Sequence, residues 1–512
     1  MQGSAVQDRV LLDAAAVCGH LVPPGSVYAL LAEHRGRLFG DELFEDLFGS
    51  GRGRPSVPGE VIAAVMVLQA LEGLSDREAC RRLQTDVGWK AAAGLALTEA
   101  AFHPTVLTLW RNKLRASGRP DRVFDAVREL IAVTGAVAGS ARRVLDSTVL
   151  DDAVARQDTV TMVTNQIRRV RRLVPELGEV PVRERNLGPA APVVDWCDPA
   201  DAERLVSELV DDAVELAAAA ADLDLDAAQA DAVGLLGLVA GQDVEPAGGP
   251  GRWRIARGTA KGRVISVVDP ESRHTHKTSH SYRDGYKAHI AAEPDTGLVT
   301  AADLTGGDAG DADAAMGLLD GEPAGTTVLA DSAYGTGQLR ADLVERAMDA
   351  VIKPPPLSVA VEGGYSIDDF DIDYSIDADT GEFSGTVACP EGHTVHITPK
   401  GNARFGRHCA RCPQRDRCTT AENGRVIKIH PHHELLKAAR VQARTDRFQH
   451  QYRTVRPMAE RTIAWIVRRN RRCPYLGTAN NRHWLRLRAA AVNLQRLTSL
   501  GLHHNGTTWA IT

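Results

Sequence analysis

Two aspartates interrupt apolar, β-branched runs: Asp146 in RRVLDSTVL, and Asp331 at the end of the run in TTVLADSAY. A lone carboxylate is costly to bury, so each needs a partner. Each is either a core aspartate satisfied by backbone or arginine, or one ligand of a shared metal. Carboxylate oxygens are the hard ligands that magnesium prefers. Two strand aspartates and a third acid could hold two ions about 3.5 to 4 Å apart for in-line phosphoryl displacement. Glu460 is the candidate third acid, the only one in a helix that the pattern places at about 457 to 470. Arg456, Arg461, Arg468, Arg469, Arg471 and Arg472 surround it. That setting suits a metal-binding acid beside a phosphate backbone, or a glutamate paired with arginines on a solvated face. Asp284, Asp303, Asp308, Asp311 and Asp313 are rivals for the second acid. Asp331 ranks above them because it ends a strand, whereas they sit in glycine-rich turns.

A second group of candidate ligands lies in ACPEGHTVHITPKGNARFGRHCARCPQRDRC. Cys409 and Cys412 form a C-x-x-C knuckle, Cys418 follows, and Cys389 with His393 supplies the other side. Four of these five could close a tetrahedral Zn²⁺ site; free thiols are the alternative. Cys18, Cys80, Cys197 and Cys473 are isolated, and His432, His433, His503 and His504 read as surface pairs. Trp465 reads as core packing in preference to base stacking.

The chain that must position these groups has 512 residues, 25% charged and 44% apolar, enough for two to four domains and far too few cysteines for a disulfide scaffold. No run approaches the roughly 18 apolar residues of a membrane span, and MQGSAVQDRV lacks the features of a signal peptide. A soluble, cytoplasmic, nucleoid-associated protein is expected. The net charge of -6 hides an asymmetry: residues 401–512 carry 22 Lys+Arg against 5 Asp+Glu, a local +17, and the first 400 residues carry -23. Clustered arginines gain affinity for polyanions by releasing counterions, so the C-terminal part is expected to meet nucleic acid.

Helical patterning dominates residues 1–140. Pro58 opens one helix, Gly73 stops it, and Ser75 with Glu78 forms a capping box that starts the next. With Arg77, Arg81 and Arg82 exposed, the pair fits a helix-turn-helix DNA reader or an ordinary helical hairpin. Residues 141–165 bring the first strand. Residues 166–262 read as a helical acidic insert, with 12 acids and a single base, Arg204, in 201–250. Strands return over 263–375 as RVISVVDP, GYKAHIAAE and GLVTAADL, the last two joined by the turn EPDTG. After them come the helix around DADAAMGLLD, the run ending at Asp331, a helix near GQLRADLVERA and the strand DAVIKPP. Residues 376–424 form the Cys-rich insert and 425–512 a basic helical part. The order is mixed α/β.

The pattern VLDST, then VLADSAYG, then Tyr452, Arg456, Glu460 and Arg468 resembles the DDE transposases of bacterial insertion sequences. The block LFGSGRGRPSVPGEVIAAVMVLQALEGLSDREACRRL is similar to the helical domain that precedes the catalytic domain in one large branch. VVDPESRHTHKTSHSYRDGYKAHIAAEPDTGLVTAADLTGGDAGDAD resembles that branch's second and third strands, and NRHWLRLRAAAVNLQRL its last helix. The common form separates Tyr, Arg, Glu and Lys by two, three and six residues; here the gaps are three, three and seven, with Arg in place of Lys.

The resemblance implies a ribonuclease-H-like mixed sheet with flanking helices, an all-helical N-terminal domain, a helical insert and a small Cys-rich, zinc-ribbon-like insert. It makes Asp146, Asp331 and Glu460 the catalytic and metal-binding triad for Mg²⁺ or Mn²⁺. Arg456, Tyr452 and Arg468 become DNA-binding candidates, with Lys287 as a further phosphate-positioning base; Cys389, Cys409, Cys412 and Cys418 become a structural Zn²⁺ set. The implied activity is cleavage at insertion-sequence ends and 3′-OH transfer into target DNA, by a homodimer that handles two ends. A catalytically inactive DNA-binding relative and a hydrolytic nuclease of the same fold are the alternatives.

Overall fold

A computed structural model describes residues 1–3, 12–49, 55–183, 192, 194–278 and 281–512. The first part is helical: α1 (Val27–Leu38), α2 (Gly59–Glu72), α3 (Asp76–Thr85), α4 (Val87–Ala93), α5 (Thr105–Ala116) and α6 (Arg122–Thr134). Helix α2 follows Pro58 and stops at Gly73, whose φ of 69° suits a left-handed C-cap. It is apolar all round and buried along nearly its whole length, a core helix. Ser75 and Glu78 form the expected capping box on α3, and Arg77, Arg81 and Arg82 face solvent.

Next comes the long strand β1 (Arg142–Asp151), then the acidic insert, built on α7 (Thr159–Leu173), α8 (Pro199–Ala220) and α9 (Ala227–Gly241). These helices pack around Ile167, Leu209, Leu216 and Leu236. RVISVVDP departs from its expected strand: only Val264 makes an isolated bridge, to Arg273. Val264, Ile265 and Val267 are buried without a ladder, Val264 and Val267 against the insert helices, while Val268 faces solvent.

Strands β2 (Arg273–Thr278), β3 (Ser281–Ala292) and β4 (Val299–Gly306), helix α10 (Asp311–Leu318), strand β5 (Thr327–Ala330), helix α11 (Gly337–Glu345) and strand β6 (Asp349–Ile352) complete a six-stranded sheet. Its path is β2-β3-β1-β5-β6, with β4 also pairing β3. Strands β1, β5 and β6 are mutually parallel, and β3 is antiparallel to its neighbours. The β3–β4 hairpin turns where expected, on Gly297 with φ 72°.

The Cys-rich insert holds a three-stranded sheet, β7 (Asp371–Ile376), β8 (Phe383–Ala388) and β9 (Thr394–His396), and a two-stranded one, β10 (Asn402–Arg404) and β11 (Val426–Lys428). Phe370, Val387, Phe405 and Ile427 form its core. The chain closes with α12 (His433–Ala443), α13 (Asp446–Val467) and α14 (Thr478–Ser499). His433 belongs to this packing, 3% exposed and edge-on to Tyr374, not to a surface pair.

Helix α13 begins eleven residues before the expected start at Pro457, because Thr445 caps it by accepting from Phe448 N. Pro457 sits inside the helix. There it withholds one N–H from the exposed side of Arg453, where water can serve the carbonyl. The helical first part shares its core with the sheet. One apolar cluster runs from Leu31, Ile62 and Trp89 through Tyr286 and Leu304 to Leu494 of α14. The expected boundary at 140 is therefore a change of secondary structure within a continuous core.

Candidate active site

Strand register assembles the two aspartates. Val144 on β1 pairs in parallel with Leu329 on β5. Two residues further along the chain stand Asp146, inside β1, and Asp331, just past the end of β5, so two adjacent strands bring both carboxylates to the same side of Arg456. Asp331 also caps the turn Ser332–Tyr334, its Oδ1 accepting from Ala333 N at 2.9 Å. Asp146 Oδ1 accepts from Ser147 N at 2.9 Å.

Helix α13 supplies the third acid. Phe448, Val455 and Ala459 pack on Val144, Ala292, Leu329 and Val351, which fixes the helix against the sheet. Arg456 and Glu460, one turn apart, then lie beside the aspartates. The Arg456 guanidinium stands 3.2 Å from Asp146, 3.6 Å from Asp331 and 3.6 Å from Glu460. Residues 146, 331 and 460 thus meet around one cation. Burial pushes the Asp146 carboxyl above its usual range, against the pull of Arg456. Burial opposes charge on Arg456 too, yet Asp146 and Asp331 hold its pKa above the ordinary value. Glu460 keeps 69% of its side chain exposed and is free to turn.

The donor set, three carboxylates, fits a hard divalent ion in kind. Among the described residues, however, no three His, Cys, Asp or Glu side chains are gathered closely enough to hold an ion. At the triad, Arg456 takes the common position.

The remaining candidates fall as follows. Tyr452 is half-buried, stacked on Phe448 at 5.9 Å, and burial raises its pKa, as do the nearby charges of Asp331, Asp146 and Glu460. Arg468 is the exposed C-cap of α13. Lys287 does not join the triad: it is largely buried, paired with Asp311 at 2.9 Å and donating to Ala309 O at 2.6 Å. Of the rival acids, Asp284 pairs with Arg156 and His274, Asp303 with Arg482 and Asp311 with Lys287. Trp465 packs with Arg496 over its ring, 4.8 Å from the centroid, and stands against Gly297.

Sequence reasoning missed Tyr334. Its ring is fully buried, and burial and then the charges of Asp311, Asp146 and Asp331 raise its pKa, against a hydrogen bond with Ser147. Its place three residues after Asp331 was the available signal.

The four clustered cysteines, from the β8–β9 turn and the segment between β10 and β11, line one small pocket with His393 and His408. None of them is in a disulfide. Cys412 N reaches Cys409 O, the backbone form of a knuckle, and Arg425 N donates to Cys409 Sγ at 3.4 Å. Burial, and after it the neighbouring thiols, raise the pKa of Cys418.

A mixed sheet whose aspartates face one guanidinium, with a basic helical segment beside them, defines the general class, an α/β protein. Two family models match the chain, a Transposase domain over residues 17–113 and a Transposase DDE domain over residues 388–498. The second spans Glu460 and the four clustered cysteines, while Asp146 and Asp331 lie outside it. In this order the matches indicate a DDE transposase of the insertion-sequence type, for which DNA is the substrate. No curated protein matches the chain. No helix among the described residues is long and apolar enough to cross a membrane.

Proposed function

We propose that this protein is a DNA transposase that cuts the ends of an insertion sequence and joins the freed 3′-OH to target DNA, with Asp146, Asp331 and Glu460 holding Mg²⁺ or Mn²⁺. One observation carries the reading: acids 146, 331 and 460 lie within 3.6 Å of the same guanidinium. The strand order around β1, with β4 and β3 antiparallel on one side and β5 and β6 parallel on the other, supports a ribonuclease-H-like core.

Bound there, two divalent ions would lower the pKa of an attacking water and stabilise the leaving 3′ oxygen. The chain's own residues do the rest. Asp146 and Asp331 are held by strand register and backbone N–H groups, so little reorganisation is left for the reaction. Exposed Arg453, Arg461, Arg468 and Arg469 line the same helical segment and are placed to bind phosphates, which position the strand without reading its sequence. Tyr452, beside Arg456, is placed to orient the nucleotide at the scissile bond. Lys287, in its ion pair with Asp311, would steady β3 and α10 behind the triad. Two DNA ends require two active sites, hence a homodimer. Cys389, Cys409, Cys412 and Cys418 would hold one structural Zn²⁺, drawn together from the pocket they now line.

The test uses a labelled duplex from the DNA that flanks this coding sequence, with full-length protein and Mg²⁺. Cut and joined products, both lost in Asp331→Asn, are expected. Cut product alone would make the protein a hydrolytic nuclease, and binding with neither product an inactive relative.

A further inference from the structure

Arg456 is more than a neighbour of the acids. It occupies their shared focus, 19% exposed, and its Nη1 is buried with no hydrogen-bond partner among the described residues. The backbone that carries it is fixed by Val455 and Ala459 in the sheet-facing core. Its side chain is therefore what can move. A guanidinium and a divalent cation cannot share one position among three carboxylates, because they compete for the same lone pairs and repel each other.

We propose that Arg456 closes the acidic site to divalent cations until a DNA phosphate draws its guanidinium away, so that metal loading and DNA binding are coupled through this one side chain. The inference rests on the proposed reading of Asp146, Asp331 and Glu460 as metal ligands. Phosphate is a suitable competitor: a bidentate guanidinium–phosphate pair replaces the pairs given up to the carboxylates. Exposed Arg453 and Arg461, on the same helix, would bring the phosphate backbone there. By linkage, whatever DNA does for metal affinity, metal does for DNA affinity. Arg456 is in this sense a positioning residue whose departure assembles the site.

The test measures Mn²⁺ affinity of the full chain by electron paramagnetic resonance, with and without a 20-base-pair duplex (a length of about two helical turns). Asp331→Asn with the same duplex serves as the blank for manganese held by DNA itself. Arg456→Met is expected to bind Mn²⁺ more tightly than wild type without DNA, by roughly 5- to 150-fold, the usual span of a coupling. The duplex should tighten Mn²⁺ binding by wild type and leave Arg456→Met unchanged. Equal or weaker binding by Arg456→Met, or the same gain from duplex in both proteins, would overturn the proposal. Should Arg456→Met fail to fold, wild type decides alone: no gain over the blank on adding duplex overturns it. Failure of the underlying reading looks different, because adding Asp331→Asn to Arg456→Met would then leave Mn²⁺ binding in the absence of DNA as it was.

Discussion

Two clusters in this chain gather like groups from distant positions, and they are closed in opposite ways. Asp146, Asp331 and Glu460 meet around Arg456, a cation the chain provides. Cys389, Cys409, Cys412 and Cys418 line a pocket of their own, with Arg415 and Arg425 in its wall but no guanidinium hydrogen-bonded to a thiol among the described residues. The difference follows from charge. Carboxylates are ionised near neutral pH and repel one another, so they assemble only with a counter-charge. Thiols stay neutral when buried, and burial raises the pKa of Cys418 further. An acidic cluster therefore arrives with a counter-charge in place, and a thiol cluster can wait uncharged.

The largest expected effect falls on chemistry at the first cluster. Asp331→Asn should keep its fold and its affinity for DNA, and cleavage in Mg²⁺ should fall by at least about 10²–10³-fold, the usual loss when one preorganised electrostatic group goes. A gel of labelled ends checks this; cleavage at the wild-type rate would remove Asp331 from the site.

At the thiols the effect should be on stability. Metal analysis should find one zinc per chain, and a chelator should lower the thermal midpoint, because structural zinc affinity is folding free energy. Cys412→Ser should lose both the zinc and the response. A zinc-free, chelator-indifferent wild type would leave these residues as packing thiols.

A third cluster extends the comparison, because it too is closed by a cation the chain provides. Asp121 receives Arg486 and His483 of α14, joining the helical first part to the last helix. Burial opposes charge on Asp121, yet the His483 hydrogen bond and the Arg486 charge hold its carboxyl below the usual range. Its contribution is therefore complete above the unfolded carboxyl pKa of about 3.9 and is lost as pH falls through the lower folded value. Asp121→Asn should cost about 3 kcal/mol in urea unfolding at neutral pH. The variant should also lack this part of the acid-induced loss.

The smallest effect should come at α3, far from both clusters. Ser75→Ala removes half of the capping box and should cost about 1 kcal/mol, with metal binding unchanged.

Much of this arrangement was legible in the sequence because local rules decided it. The capping box of α3, the β3–β4 turn and the strand before Asp331 follow from turn chemistry and β-branched runs. RVISVVDP was misread as a strand because buried apolar runs look alike whether or not they find a ladder partner, and Val264 found only one bridge. Helix α13 starts earlier than the pattern places it, because the cap lies at Thr445 and Pro457 falls inside the helix. At the site, spacing pointed to Arg456 and Glu460 as a pair. It could not show one guanidinium bridging three acids, since that depends on the register of β1 with β5 and on the packing of α13 across them. Lys287, a candidate phosphate-positioning base in the sequence, is paired with Asp311 of α10, which its own segment could not show.

The central claim is that positions 146, 331 and 460 converge on one divalent-ion site, and local radical cleavage tests it most directly. Fe²⁺ replaces Mg²⁺ in the folded, DNA-bound protein, ascorbate and peroxide are added, and the backbone cuts are mapped. The expected result is a set of cuts beside all three positions that disappears together in Asp331→Asn. Cuts confined to one segment, or unchanged in Asp331→Asn, would contradict it.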